Sequence, residues 1–271
     1  MKQLAHSPTP IHTRGLPSPP LRRMDPEAGE AVILEFLRML CGDDATQHGR
    51  LLDWLTRVVQ QPGERAETAL FVSGPPRCGK GQLWDLLVRL MGHERCFETV
   101  APQRDVWGRH NGRMRDAALV CIKWVDQRAF MRLLPCLRTV MTSRQLRIHE
   151  LHQPPVAIDM RASFVVMTNT PLEVGVDDTR RLAFLQCSGA RVDDLAYFET
   201  LCAAIRNTGA IGHVLAFLRR RAMRPWARAR ERLRTRAVVL YWLGLTEHLM
   251  APGRSAEARD RVDYEAIFTE S

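Results

Sequence analysis

Along the first part of the chain, apolar side chains recur at helical spacing: Val32, Ile33, Phe36, Leu37 and Leu40, then Leu51, Leu52, Trp54, Leu55, Val58 and Val59. Returns every three and four residues place them on one face, which predicts two amphipathic helices within residues 27–61. Pro62-Gly63 ends the second. The pattern then changes to short uninterrupted apolar runs, as strands buried on both faces of a parallel sheet require. The first is Ala69-Leu70-Phe71-Val72, and others lie at residues 118–122, 163–167 and 182–186. Between them, residues 79–91 and 128–141 carry amphipathic helical patterns. Residues 146–150 and 156–160 alternate apolar and polar around Leu151-His152-Gln153-Pro154, which predicts a hairpin. Residues 193–224 read as helical, with Tyr197, Phe198, Leu201, Ile205, Leu215 and Leu218 on the apolar side. Residues 226–250 read as a further helical region with a basic start, WARARERLRTR.

Strands alternating with helices predict an α/β fold with a mainly parallel sheet. Residues 1–25 are rich in Pro, Ser and basic side chains without hydrophobic period, the composition of a disordered tail. The domain proper is then residues 26–221, followed by a basic helical region over 222–271. No internal repeat is visible.

Charge adds a second layer. The 271 residues carry a formal net charge of +9, almost all of it from arginine. The only lysines are Lys2, Lys80 and Lys123. Arginine excess fits contact with phosphate or nucleic acid, and it equally fits drift of lysine codons in a GC-rich genome. Under either reading, a lysine retained at position 80 stands out. Seven cysteines are scattered with no CxxC pair and no zinc-ligand spacing among His and Cys. No signal peptide and no run of ~18 apolar residues is present. The expectation is a soluble intracellular protein with reduced thiols and no membrane partner.

The candidate chemistry sits after the first strand. Gly74-Pro75-Pro76-Arg77-Cys78-Gly79-Lys80-Gly81 follows the phosphate-loop pattern G-x-x-x-x-G-K-[ST] except at its last position. A strand delivers such a loop, its glycines let backbone N–H groups turn toward phosphates, and the following helix adds its positive end. Lys80 would reach the outer phosphates of ATP. Gly81 has no hydroxyl to hold magnesium. A purely structural strand-turn-helix corner is the competing reading. Asn169 follows a core strand, where an amide could orient a water against the γ-phosphate or, more simply, form a turn before Pro171. Arg180 and Arg181 precede the last strand, either as arginine fingers or as a solvated charged turn.

In this order the blocks resemble the superfamily III helicase domain of virus and phage primase-helicases, in particular the helicase part of phage primase-polymerases. The resemblance runs from about Leu51 to Arg221. It includes LLDWLTRVVQQPGERAETAL, the phosphate loop, GRHNGRMRDAALVCI, LRTVMTSRQLRIHELHQPPVAIDMRASFVVMTNTP, DDTRRLAFL and YFETLCAAI. It implies an AAA+-like P-loop ATPase that assembles as a homo-oligomeric ring, a hexamer, on single-stranded DNA during replication. By the same resemblance, Gly74, Gly79, Lys80, Gly81 and Gln82 hold ATP; the family often carries Thr where this chain has Gln82. Asn169 matches the sensor asparagine, and Arg180 and Arg181 the arginine pair. The hairpin matches the DNA-touching pore element, which points to Arg144, Arg147, His149 and His152.

One block departs from the family. Relatives end the second strand of this set with an acidic pair that binds magnesium, and here that pair falls on Lys123-Trp124. Asp126 is the nearest carboxylate and serves only if the register shifts. A primase or polymerase has no room in the 271 residues, so it would be a separate partner or lost. Two rivals stand beside the helicase-like ATPase. One is a degenerate member that binds nucleotide or nucleic acid without hydrolysis. The other is a small-molecule P-loop kinase, which the hairpin disfavours.

Overall fold

The computed structural model describes residues 24–66, 68–150, 152–170 and 182–224. The expected N-terminal tail through residue 23, Arg180, Arg181 and the basic helical region from residue 225 lie outside the described residues.

Two helices open the domain. Helix α1 (Pro26–Leu40) starts where the Asp25 carboxylate accepts from the Glu27 and Ala28 amides, with Pro26 at the first helical position. Asp44 caps α2 (Ala45–Gln60) in the same way. The apolar stripes read from the sequence are the buried ones, including Ile33, Phe36, Leu37, Leu40, Leu51 and Leu55. From α2 the Trp54 indole N–H donates to the Thr68 carbonyl at 3.0 Å. That bond ties the helical layer to the entry of β1 (Ala69–Ser73).

After β1 come α3 (Lys80–Met91), β2 (Cys96–Thr99), a short α4 (Pro102–Asp105) and β3 (Leu119–Ile122). Helix α5 (Gln127–Thr142) leads to β4 (Gln145–Ile148) and β5 (Val156–Asp159), then β6 (Ser163–Thr168) and β7 (Leu182–Gln186). Helices α6 (Leu195–Arg206) and α7 (Thr208–Arg220) close the described chain. They are not one continuous helix: the chain bends by 79° between them. Asn207 makes the break, its Oδ1 accepting from the Gly209 and Ala210 amides and so capping a new helix.

Five strands form one parallel sheet in the order β2-β3-β6-β1-β7. The strands expected from apolar runs are β1, β3, β6 and β7; β2 is an addition. Its sequence, Cys-Phe-Glu-Thr, lacks a continuous apolar run because Glu98 is exposed at the sheet edge. The hairpin is confirmed as β4-β5, antiparallel with Arg147 opposite Ala157.

The sheet is sandwiched between two apolar layers. On one face Leu70, Val72, Cys121, Val165 and Met167 pack against α1, α2, α3, α6 and α7. On the other, Phe71, Val120, Ile122, Phe164 and Val166 meet α5 and the hairpin. Phe71 and Phe130 make an edge-to-face pair at 5.3 Å, an arrangement worth about 0.5–1.5 kcal/mol beyond the burial itself. Among the described residues no single helix is long and apolar enough to cross a membrane.

Candidate functional site

The strand order reverses at β1. The chain leaves it toward β2 on one side and returns from β6 past it to β7 on the other. Open α/β sheets bind ligands beyond the carboxyl ends of their strands at such a point. There a cavity of about 290 Å³ is lined by Arg77, Gly79, Lys80 and Gly81 of the loop after β1. Lys123 and Trp124 at the end of β3, and Thr168 and Asn169 at the end of β6, complete the wall.

The loop backbone explains two of its glycines. Gly79 has φ +107, and a Cβ there would lie 2.9 Å from the Phe36 ring. At Gly74 (φ +154) a Cβ would lie 2.7 Å from Cys187 Cβ. Neither position tolerates a side chain. Gly81 is different: a Cβ there meets nothing within 4 Å, so its missing hydroxyl is not imposed by space. No side chain caps the start of α3. A helix start leaves backbone donors without intrahelical partners and carries partial positive charge. Lys80 Nζ donates to the Gly74 and Pro75 carbonyls, each at 2.7 Å. It thus lies across the loop within reach of any anion that enters. Gln82 is not part of this wall. Two residues along a helix is about 200° of rotation, and its Oε1 accepts from the Cys202 thiol of α6 at 3.5 Å. Gln82 lines a separate cavity between α3 and α6.

At the end of β3 the cavity meets a lysine and a tryptophan. Lys123 forms an ion pair with Glu98 of β2, and its amide donates to the Thr99 carbonyl at 2.9 Å. Trp124 has φ +61 and is 71% exposed, an uncommon backbone for a bulky residue and one that costs energy. Asp126 does not line the cavity; its Oδ1 accepts from the Ala129 amide at 2.7 Å and caps α5. Among the described residues, the cavity wall holds three cationic side chains, Arg77 (ion-paired with Asp193 at 2.8 Å), Lys80 and Lys123, and no carboxylate. Those donors fit the phosphates of a nucleotide and do not fit magnesium, which binds through carboxylate, phosphate and water oxygens. Among the described residues no three His, Cys, Asp or Glu side chains converge as a metal site.

Arg144, Arg147 and His152 are exposed on the hairpin, while His149 is half-buried. The hairpin is held by a residue the sequence did not single out. Asn111, 1% exposed, donates to the Val106 and Arg147 carbonyls at 3.2 and 2.9 Å and accepts from the His149 amide at 2.8 Å. Beside it, Arg115 pairs with Glu150 at 2.9 Å. Asn111 lies inside the GRHNGRM block, but its partners on the hairpin are 36 and 38 residues away, and no local pattern announces them. Glu98 was missed with its strand.

Parallel sheet, glycine-bounded loop and uncapped helix start together define a P-loop NTPase-like fold. Comparison with known proteins agrees at the level of the fold. No protein-family description and no curated protein matches this chain. Among solved structures, the A-form apo structure of the NrS-1 C-terminal region is 21% identical, with TM-score 0.58, and the match covers 78% of this chain and 51% of that one. A second apo structure of that region, residues 305–718, is 20% identical with TM-score 0.57 and the same coverage. A JCV helicase structure with a bound acetamide compound is 16% identical with TM-score 0.47, covering 82% and 62%. The chain spans about half the length of the NrS-1 structures, 51%.

Proposed function

We propose that this protein is a helicase-like P-loop domain that binds ATP in the cavity beside Lys80 and single-stranded DNA on the β4-β5 hairpin. Its setting is the replication of a virus, phage or integrated element. The observation that carries the reading is the set of three cations around an uncapped helix start at the switch point of the sheet. Lys80 leaves the Gly74 and Pro75 carbonyls for phosphate oxygens, and the loop N–H groups complete the cradle. Asn169 orients a water or a phosphate oxygen at the far wall. The resemblance of the sequence blocks to superfamily III helicases supports a ring of identical subunits, to which Arg180 and Arg181 contribute between neighbours.

The second reading, nucleotide binding with little hydrolysis, is favoured by one specific observation. Lys123 stands where the metal-holding carboxylate belongs, and Asp126 is committed to a helix cap. Lys123 supplies positive charge to the phosphates without holding a water for attack. Magnesium supplies charge neutralisation when bound to phosphates in solution, and among the described residues no carboxylate of the cavity wall adds to its binding. Binding with weak magnesium dependence and slow turnover is the combined expectation. Fluorescent-nucleotide titration with magnesium or EDTA, followed by turnover assays with and without single-stranded DNA, tests it. Failure of the protein to bind nucleotide in either condition defeats the reading. DNA-stimulated, magnesium-dependent hydrolysis at rates of order 1 s⁻¹ or above, ordinary for enzymes, defeats the impaired-site part alone.

A further inference from the structure

Two thiols share the space beneath Gly74. Cys78, inside the phosphate loop, is fully buried, and Cys187, the residue after β7, is 3% exposed. Cys187 is fixed against the loop because its amide donates to the Ser73 carbonyl at 2.7 Å. A Cβ on Gly74 would meet Cys187 Cβ at 2.7 Å and Cys78 Sγ at 3.2 Å. The glycine is bare because the two cysteines close over it. Lys80 Nζ lies 3.7 Å from Cys78 Sγ. The neighbouring Cys187 thiol, and then Lys80, lower the Cys78 thiol to about 6. Burial, and then the neighbouring Cys78, push Cys187 well up. A thiolate beside a protonated thiol is the arrangement in which an oxidised cysteine has a resolving partner.

We infer that Cys78 and Cys187 form a reversible disulfide that locks the phosphate loop when a peroxide-class oxidant is present. The Cys78 thiolate attacks one peroxide oxygen, the O–O bond breaks, and hydroxide leaves to be protonated to water. The Cys187 sulfur then attacks the Cys78 sulfenic sulfur. The S–O bond breaks, and the Cys187 proton leaves with that oxygen as a second water. Two thiols lose two electrons and the peroxide gains them. A dithiol reductant reverses the change. The bond draws Cys78 toward β7, and with it the backbone of Arg77 and Gly79 that must surround a phosphate.

The test treats full-length protein with hydrogen peroxide, then maps crosslinks by non-reducing peptide mass spectrometry. Amide exchange over residues 74–82 is followed in the same samples. The expected result is a Cys78–Cys187 link in wild type, lost in Cys78→Ser and in Cys187→Ser, with slower loop exchange that dithiothreitol reverses. No such link, a Cys41–Cys187 link in its place, or a link with unchanged loop exchange overturns the proposal. These readouts need no nucleotide, so they stand apart from the nucleotide-binding reading. Where reduced protein binds fluorescent ATP, oxidation should weaken that binding at least five-fold, and equal binding before and after also overturns it.

Discussion

Two strand ends in the same sheet, flanking β6 in the order β3-β6-β1, present different side chains to one cavity. At the end of β1 the loop retains its two sterically required glycines and Lys80 across its carbonyls. At the end of β3 a lysine paired with Glu98 and an exposed tryptophan line the same cavity. On the proposed reading, gripping a phosphate and aligning a water are duties of separate strands. A chain can lose the second while its fold still preserves the first, because only the first is built into the packing around Gly74 and Gly79.

The largest effect expected from breaking this contrast lies in turnover. Lys123→Asp combined with Trp124→Glu should raise ATP hydrolysis about ten-fold or more, a small part of the ~10²–10⁴ that a positioned acid–base group contributes. Steady-state phosphate release measures it, and an unchanged rate would show that more than the β3 end is impaired. Next is Lys80→Ala, which should weaken ATP binding about ten-fold or more, since hydrogen bonds to charged groups are worth ~1.5–3 kcal/mol. Equal affinity in a nucleotide titration would make the β1 end a structural corner. On the hairpin, Arg147→Ala with His152→Ala should lower single-stranded DNA affinity for all sequences and reduce the salt slope by about one. Asn111→Ala should lower affinity while leaving that slope unchanged, because it displaces the strand without removing a charge. Fluorescence anisotropy across a salt series separates the two. The smallest effect concerns Asp126. Asp126→Ala should cost about 1 kcal/mol as a lost helix cap, while Asp126→Asn, an equally good cap, costs almost nothing. Both melt by calorimetry at positions set by capping alone, and turnover that collapses in Asp126→Asn would assign the carboxylate to the chemistry instead.

What the sequence reveals follows the range of the interactions involved. β1, β3, β6 and β7 are legible because strands covered on both faces need apolar side chains at every position. β2 is not, since an edge strand of four residues with an exposed Glu98 leaves no run to read. The α6–α7 break had a local signal, Asn207 followed by Thr-Gly, but apolar periodicity on both sides of it masked the bend. The strand-turn-helix corner that carries Gly74, Gly79 and Lys80 is legible because loop geometry fixes their spacing. Gln82 misleads because adjacency in sequence is nearly opposition on a helix, and its side chain turns to Cys202. Asn111 and Cys187 act across the fold, against Arg147 and the loop after β1. Only the assembled sheet brings such partners together.

Trp124 has an optical consequence. Trp54 and Trp84 are buried and Trp107 is half-covered, whereas Trp124 stands 71% exposed at the rim of the cavity beside Lys80. Among the described tryptophans, its indole is the one that a dissolved collisional quencher meets first. A nucleotide bound beside Lys123, as proposed, would cover that ring and shield its emission. Trp124 would then act as an intrinsic fluorescent gauge of the cavity, readable without any label and silenced by Trp124→Phe.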